Sequence, residues 1–165
     1  MTKTTIQVVG EINSDMLARI AATLEHPADG IDIVVYSDGG DLDAALDLYA
    51  VLLAHPARKT AIIRKASSAA LFPALAADRR IAAPGARVLL HQSAYRPPAA
   101  ERWTASRHAE VAEQLRRLDG EMAAILAFRT GAPASVFRRE METEMDASLE
   151  WCMARGIIHE IRELK

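Results

Sequence analysis

The segment Ile31–Tyr36 is apolar and β-branched and runs directly into Ser37-Asp38-Gly39-Gly40. Such a run reads as a strand buried on both faces. Asp41 is placed to cap a following helix in which Ala44, Ala45, Leu48, Leu52 and Leu53 recur at helical spacing, and Pro56 ends it. The same alternation continues on either side. Ile6–Val9 is a short strand closed by Gly10. Ser14 is a cap for a helix with Leu17, Ile20, Ala21 and Leu24 on one face and Pro27 beyond its end. Thr60–Ile63 is a strand, and a helix from Ser68 to about Ala77 follows. Ile81 and Arg87–Leu90 read as two short strands, and Tyr95–Glu101, with Pro97 and Pro98, as a loop. A long helix from about Thr104 to Phe128 carries the stripe Val111, Leu115, Leu118, Met122 and Ile125, and Thr130-Gly131-Ala132-Pro133 stops it. Ala134–Glu140 and Leu149–Ala154 are short helices, and Ile157–Ile161 a last strand. Strands alternating with helices imply an α/β fold with a mainly parallel sheet and crossover helices.

The 165 residues suit a single domain, 1–165, with one sizeable core. A net charge of −2 gives no reason to expect nucleic acid or an anionic membrane as partner. The single Cys152 excludes an intrachain disulfide, and no Cys/His spacing reads as a metal site. The first residues lack the apolar core of a secretion signal, and no apolar stretch is long enough to span a bilayer, so a cytoplasmic location is expected.

A serine at the start of one predicted helix and a histidine at the end of one predicted strand have the chemistry of a nucleophile and its base. The serine is Ser67 or Ser68, which spacing does not separate; the histidine is His91. Each has a plainer reading, a helix cap for the serine and a hydrogen-bonded strand end for the histidine. Gly39-Gly40 forms a turn able to expose N–H groups to an oxyanion, although a simple strand-to-helix turn uses the same residues. Glu142, Glu144 and Asp146 are carboxylates able to orient a histidine, and charge alone does not choose among them. His26, His55 and His108 read as solvated, His159 as structural, and Arg79-Arg80 and Arg116-Arg117 as solvated or paired surface charges.

Together these segments resemble the Clp protease proteolytic subunit family and its relatives among phage head-maturation proteases, from about Val8 to Ile161. Tyr36-Ser37-Asp38-Gly39-Gly40 is similar to the family's Ser-Pro-Gly-Gly turn, and Ala66-Ser67-Ser68-Ala69-Ala70 to its nucleophile segment. The run from Asp78 to His91 is similar to its approach to the histidine, and Leu149–Ile158 to its last helix, glycine and strand. The resemblance implies a crotonase-like fold of repeated ββα units with a long handle helix. It implies a serine endopeptidase in which Ser68 is the nucleophile, His91 the base and Glu144, counted back from Gly156, the orienting carboxylate. Backbone N–H groups of Gly39 and Ala69 would form the oxyanion hole, with no metal and no cofactor. A peptide or protein substrate and a homo-oligomer of hexamer or heptamer rings are implied as partners.

This chain departs from the family pattern at several positions. Asp38 stands for the turn's proline, Arg64 for a glycine before the nucleophile, and Glu144 for an aspartate. Pro73 falls inside the nucleophile helix, where it should kink the helix or remove a hydrogen bond. The chain starts almost at its first strand, so partnership with an ATPase unfoldase is not expected. These departures motivate a second expectation, a catalytically inactive Clp-like assembly or binding protein. A crotonase-type acyl-CoA enzyme is a third, which explains Ser68 and His91 poorly.

Overall fold

The computed structural model describes residues 2–163. Strands β1 (Lys3–Val9), β2 (Gly30–Ser37), β3 (Arg58–Ser67) and β4 (Arg79–Leu89) lie side by side in that order, all parallel. Helices α1 (Ser14–Leu24), α2 (Leu42–Ala54) and α3 (Leu71–Leu75) make the crossovers. Because each crossover steps in the same direction, the right-handed rule puts all three helices on one face of the sheet. That explains why β2 is not buried on both faces as its composition suggested. Ile31, Ile33, Val35 and Ser37 are buried on one side, whereas Asp32 and Val34 are half-buried and Tyr36 is exposed.

The outer edge of β4 is shared. Its first half pairs in parallel with β6 (Glu160–Ile161), and its last residues pair antiparallel with β5 (Asp146–Ala147). The sequence suggested two short strands at Ile81 and Arg87–Leu90; they are one strand, interrupted where Pro84 and Gly85 bulge outward. Its pairing with β3 passes from Ile63–Ala82 to Lys65–Arg87, so Arg64 is skipped. Arg64 is skipped in the β2 ladder as well. Arg64 therefore sits in a bulge with ordinary negative φ, and no glycine is needed there.

Two other local expectations change. The cap of α1 is Asn13, whose side chain accepts from Met16 N–H at 2.9 Å, not Ser14. Pro73 lies in the first turn of α3, where a backbone N–H has no intrahelical partner, so the helix is not kinked by it. The long helix α4 (Ala105–Thr130) is capped by Thr104 and ends at Gly131 with φ +79°. Only its second half is anchored, through Met122, Ala123 and Leu126; Val111, Leu115 and Leu118 stay half-exposed. Helix α5 (Ala134–Met141) packs against α4, and α6 (Leu149–Ala154) precedes β6.

Arg80, read from the sequence as a surface charge, is 2% exposed. Its guanidinium donates to the carbonyls of Ala77, Gly156 and Ile157 at 2.8 Å and of Arg129 at 3.2 Å. Burial lowers its pKa to about 10, so it stays charged. His159 lies against it: Nδ1 faces the Arg80 backbone N–H at 3.1 Å and Nε2 faces a guanidinium nitrogen at 3.1 Å. A neutral imidazole can accept on one nitrogen only, and the imidazolium on neither. Desolvation and then Arg80, Arg129 and Arg79 accordingly lower the His159 pKa.

A depressed histidine pKa means that the unfolded chain takes up a proton the native state refuses. The contribution to stability is whole above the unfolded value of about 6.5 and is lost as pH falls through the folded value. Denaturant midpoints should therefore fall from pH 7 towards pH 5, and more steeply in the native chain than in His159→Gln. Parallel pH profiles for the two proteins would refute this.

Candidate active site

β3 ends at Ser67, whose backbone is extended (φ −106°, ψ 141°) and whose side chain is buried. The next residue, Ser68, has φ +56° and opens a single 3₁₀ turn, Ser68–Ala70, ahead of α3. A left-handed backbone at a non-glycine residue costs about 1–3 kcal/mol and persists only where the surroundings enforce it. Such a sharp strand-to-helix turn carries a hydroxyl out of the sheet's end, as nucleophile turns do. Of the two serines that spacing could not separate, Ser68 alone has this geometry.

Gly39 is packed against that turn. A Cβ on Gly39 would lie 3.0 Å from Ser68 Cβ, 3.1 Å from Ala69 N and 2.9 Å from Ser67 O, and its φ is +101°. Only glycine permits this approach. The Gly39 N–H donates to Ser37 Oγ at 3.0 Å, and Ser37 Oγ donates to Gly10 O at 2.5 Å. The neighbouring Gly40 N–H has no hydrogen-bond partner among the described residues. The Ala69 N–H belongs to the first turn of its helix, where amides lack intrahelical partners.

Asp38, the residue standing for a proline, meets Lys65 Nζ at 2.5 Å, and that ammonium also lies 5.9 Å from the centre of the Tyr36 ring. The negative charge beside the glycine turn is thus compensated by a cation on the adjoining strand. A groove of about 500 Å³ runs along this edge, lined by Val9, Gly10, Glu11 and Tyr36 to Gly40.

His91 follows β4 and shares a small apolar slot with Ser68, closed by Leu71, Phe72, Leu90, Met122, Leu126 and Met141. Its free volume is about 20 Å³, on the order of a single water. No hydrogen bond joins Ser68 to His91 among the described residues. His91 Nδ1 lies 2.6 Å from Gln92 O. A carbonyl only accepts, so Nδ1 carries a proton here, and in the neutral ring the lone pair then lies on Nε2, the tautomer a general base needs.

The carboxylates lie elsewhere. Glu144 is exposed, with φ +52°, at the turn into β5. Asp146 Oδ2 is engaged by Arg87 through Nε at 2.9 Å and a terminal nitrogen at 2.8 Å. Glu142 is exposed on the last turn beyond α5. Ser68, Gly39, Ala69 and His91 are thus brought together, and Glu144 makes no hydrogen bond or ion pair with them among the described residues. Sequence reasoning missed Lys65, the Ser37 hydroxyl and the Gln92 carbonyl. Lys65 and Ser37 are signalled only by which strands are neighbours, and the Gln92 carbonyl has no side-chain signal.

Cys152 is buried and its thiol is pushed up to about 12, chiefly by desolvation, so it is no competing nucleophile. Among the described residues no cluster of His, Cys, Asp or Glu is arranged to hold a metal, and no helix is long and apolar enough to cross a membrane.

Comparison with known proteins places this geometry. The family profile described as Clp protease matches residues 1–165. The ATP-dependent Clp protease proteolytic subunit 1 of Thermobifida fusca (strain YX) is 28% identical over 163 residues, covering 94% of this chain and 71% of that protein. Among solved structures, a mutant of ClpP1 from Listeria monocytogenes superposes with a TM-score of 0.83 at 21% identity, over 98% of this chain and 92% of that one. ClpP1 from the same organism superposes with a TM-score of 0.79, at the same identity and coverage. The structural likeness establishes the fold, a crotonase-like mixed α/β sheet with a long helix.

Proposed function

Because the chain belongs to the Clp protease family, we propose that it is a serine endopeptidase acting through Ser68, His91 and Glu144. The observation that carries the reading is the left-handed Ser68 at the end of β3, with Gly39 packed on its Cβ and His91 across the same slot. Ser68 Oγ attacks the peptide carbonyl as His91 Nε2 takes its proton; His91 then returns the proton to the leaving amine, and water repeats the sequence on the acyl-enzyme. The Ala69 N–H supplies one donor to the tetrahedral oxyanion. The second comes from the glycine turn, through Gly39 once it releases Ser37 or through the unengaged Gly40 N–H. The groove beside Gly39 is the place for the substrate chain.

Register supports Glu144 as the third member. Val88 faces Ala147 and Leu89 faces Asp146 in the antiparallel β4–β5 pair. Antiparallel partners advance in opposite directions, so two more residues on each side set His91 opposite Glu144. Lengthening this short ladder would bring the Glu144 carboxylate to Nδ1 beside Gln92 O, the two sharing its N–H. Asp146, held by Arg87, is less available.

The narrow slot, about 20 Å³, and the absence of any hydrogen bond between Glu144 and His91 among the described residues favour a second reading, a Clp-like protein that assembles or binds without catalysis. A fluorophosphonate probe separates the two. Peptide mapping should place the adduct on Ser68 and none on Ser67; an assembled protein that takes up no probe would support the inactive reading.

Glu144→Gln should fold normally and lose roughly 10²–10⁴-fold in acylation rate, because the carboxylate holds the tautomer and stabilises the imidazolium. Asp146→Asn should cost less. The reverse order of effects would show that the ladder does not continue in register.

The half-exposed stripe Val111, Leu115 and Leu118 on the projecting half of α4 is apolar surface that a partner would cover. We assign it to contacts between copies of this chain, in rings of six or seven. Light scattering should give a mass well above a dimer, and Leu115→Asp or Leu118→Asp should lower it; a monodisperse particle of 18.0 kDa would overturn the assignment.

A further inference from the structure

Asp119 lies on α4, 28 positions beyond His91, and nothing in the peptidase reading uses it. Its Oδ1 accepts from the backbone N–H of Ser93 at 2.6 Å and lies 2.7 Å from Ser93 Oγ. Ser93 Oγ also lies 3.0 Å from Leu115 O, one helical turn earlier on α4. The hydroxyl has one proton to give, and the carboxylate is the stronger acceptor. Both Ser93 and Asp119 are half-buried.

We propose that Asp119 is a positioning residue for His91, acting by clamping Ser93 to α4. The proposal rests on the peptidase reading for its consequence, though not for its geometry. β4 stops pairing at Leu89, so the chain from Leu90 onward leaves the sheet. It then runs without regular structure to Thr104. The Asp119 clamp is the first fixed point after His91. Gln92, whose carbonyl holds the imidazole Nδ1–H, is the single residue between the histidine and the clamp. A fixed Ser93 amide restricts the orientation of the preceding peptide and hence the direction of the Gln92 carbonyl. With the clamp removed, that carbonyl is free to rotate, Nδ1 loses this acceptor, and the ring is held less firmly in the slot it shares with Ser68.

The predicted effects separate positioning from general stability. Asp119→Ala should lower the fluorophosphonate acylation rate of Ser68 by roughly 10–100-fold, the cost of misorienting a reacting group. For an ester substrate the loss should fall on kcat and leave KM nearly unchanged. Asp119→Asn keeps an acceptor oxygen in place and should recover most of the rate. Ser93→Ala keeps the amide donor and should fall between them.

A second readout does not depend on activity. In protein labelled with ¹⁵N at the histidine imidazoles, with the His91 signals assigned by His91→Gln, the native chain should show the Nδ1–H tautomer. Asp119→Ala should shift the population towards Nε2–H, and Asp119→Asn should not. A tautomer shift in a protein that never takes up the probe would keep the positioning role and overturn the peptidase reading. An unchanged tautomer ratio and unchanged kcat in Asp119→Ala would overturn the positioning role and leave the peptidase reading standing.

Discussion

The buried Arg80 guanidinium is where the separate parts of this molecule meet. Its donors end on Ala77, just after α3, on Arg129 in the last turn of α4, and on Gly156 and Ile157 after α6. Carbonyls at helix C-termini lack intrahelical partners and carry partial negative charge, so they are suited to a buried cation that faces no carboxylate directly. Arg129 adds a second link, from α4 back to Leu75 O at 2.7 Å and Ala77 O at 3.0 Å. Desolvating a guanidinium is costly unless every donor is used, and here the donors are used on three chain segments at once. The placement of α3, β4 and α4 is therefore a single decision. Ser68 lies at the far end of one of these elements, His91 at the far end of the second, and Asp119 on the third.

Within that frame the turn at Ser68 departs from local preference. The Arg64 bulge interrupts both ladders of β3 three residues before Ser67, and β4 answers with its own bulge at Pro84 and Gly85. A bulge changes which face later residues present. After it, Ala66 and Ser67 are both buried, which strict alternation does not allow, and Ser68 turns into the left-handed region. Strain at Ser68 is contained by buried neighbours on each side, Ala66, Ala69, Ala70 and Leu71, and by Gly39 against its Cβ. Sites that break local rules while their surroundings obey them are where function concentrates.

The periodic parts were legible in the sequence because periodicity reports burial. The capped helix after Asp41, the long helix ending at Gly131 and the order of the strands follow from it. What was not legible depends on distant neighbours. Arg80 looks like any surface arginine until Gly156 and Arg129 are brought beside it. β5 has two residues, too few for a pattern, and the partner of His91 Nδ1 is a carbonyl with no side chain to announce it. Asn13 and Ser14 are both good caps, and only the backbone shows that the helix starts after Asn13. The residues by themselves left Ser67 and Ser68 open; the family resemblance named Ser68, and the left-handed torsion there is consistent with it. Glu144 was named over Asp146 from the resemblance, by counting back from Gly156; register and the Arg87–Asp146 pair add support that charge alone does not reveal.

The two halves of the site are built with unequal firmness. Ser68, Ala69 and Gly39 stand on the core, held by β2, β3 and α3. His91 and Glu144 stand beyond the ends of a two-residue ladder, on chain that α4 and α5 border but do not enclose. Burying apolar area stabilises the first half; in the second, His91 sits in an apolar slot, but its orientation there depends on a few directional bonds, each worth only about 0.5–1.5 kcal/mol. Energies of that size are small beside the burial that holds Ser68, so the orientation of His91 can change without disturbing the turn at Ser68. A fold arranged this way fixes its costly element, the strained Ser68, within the core and leaves the orientation of the His91 imidazole to a few directional bonds.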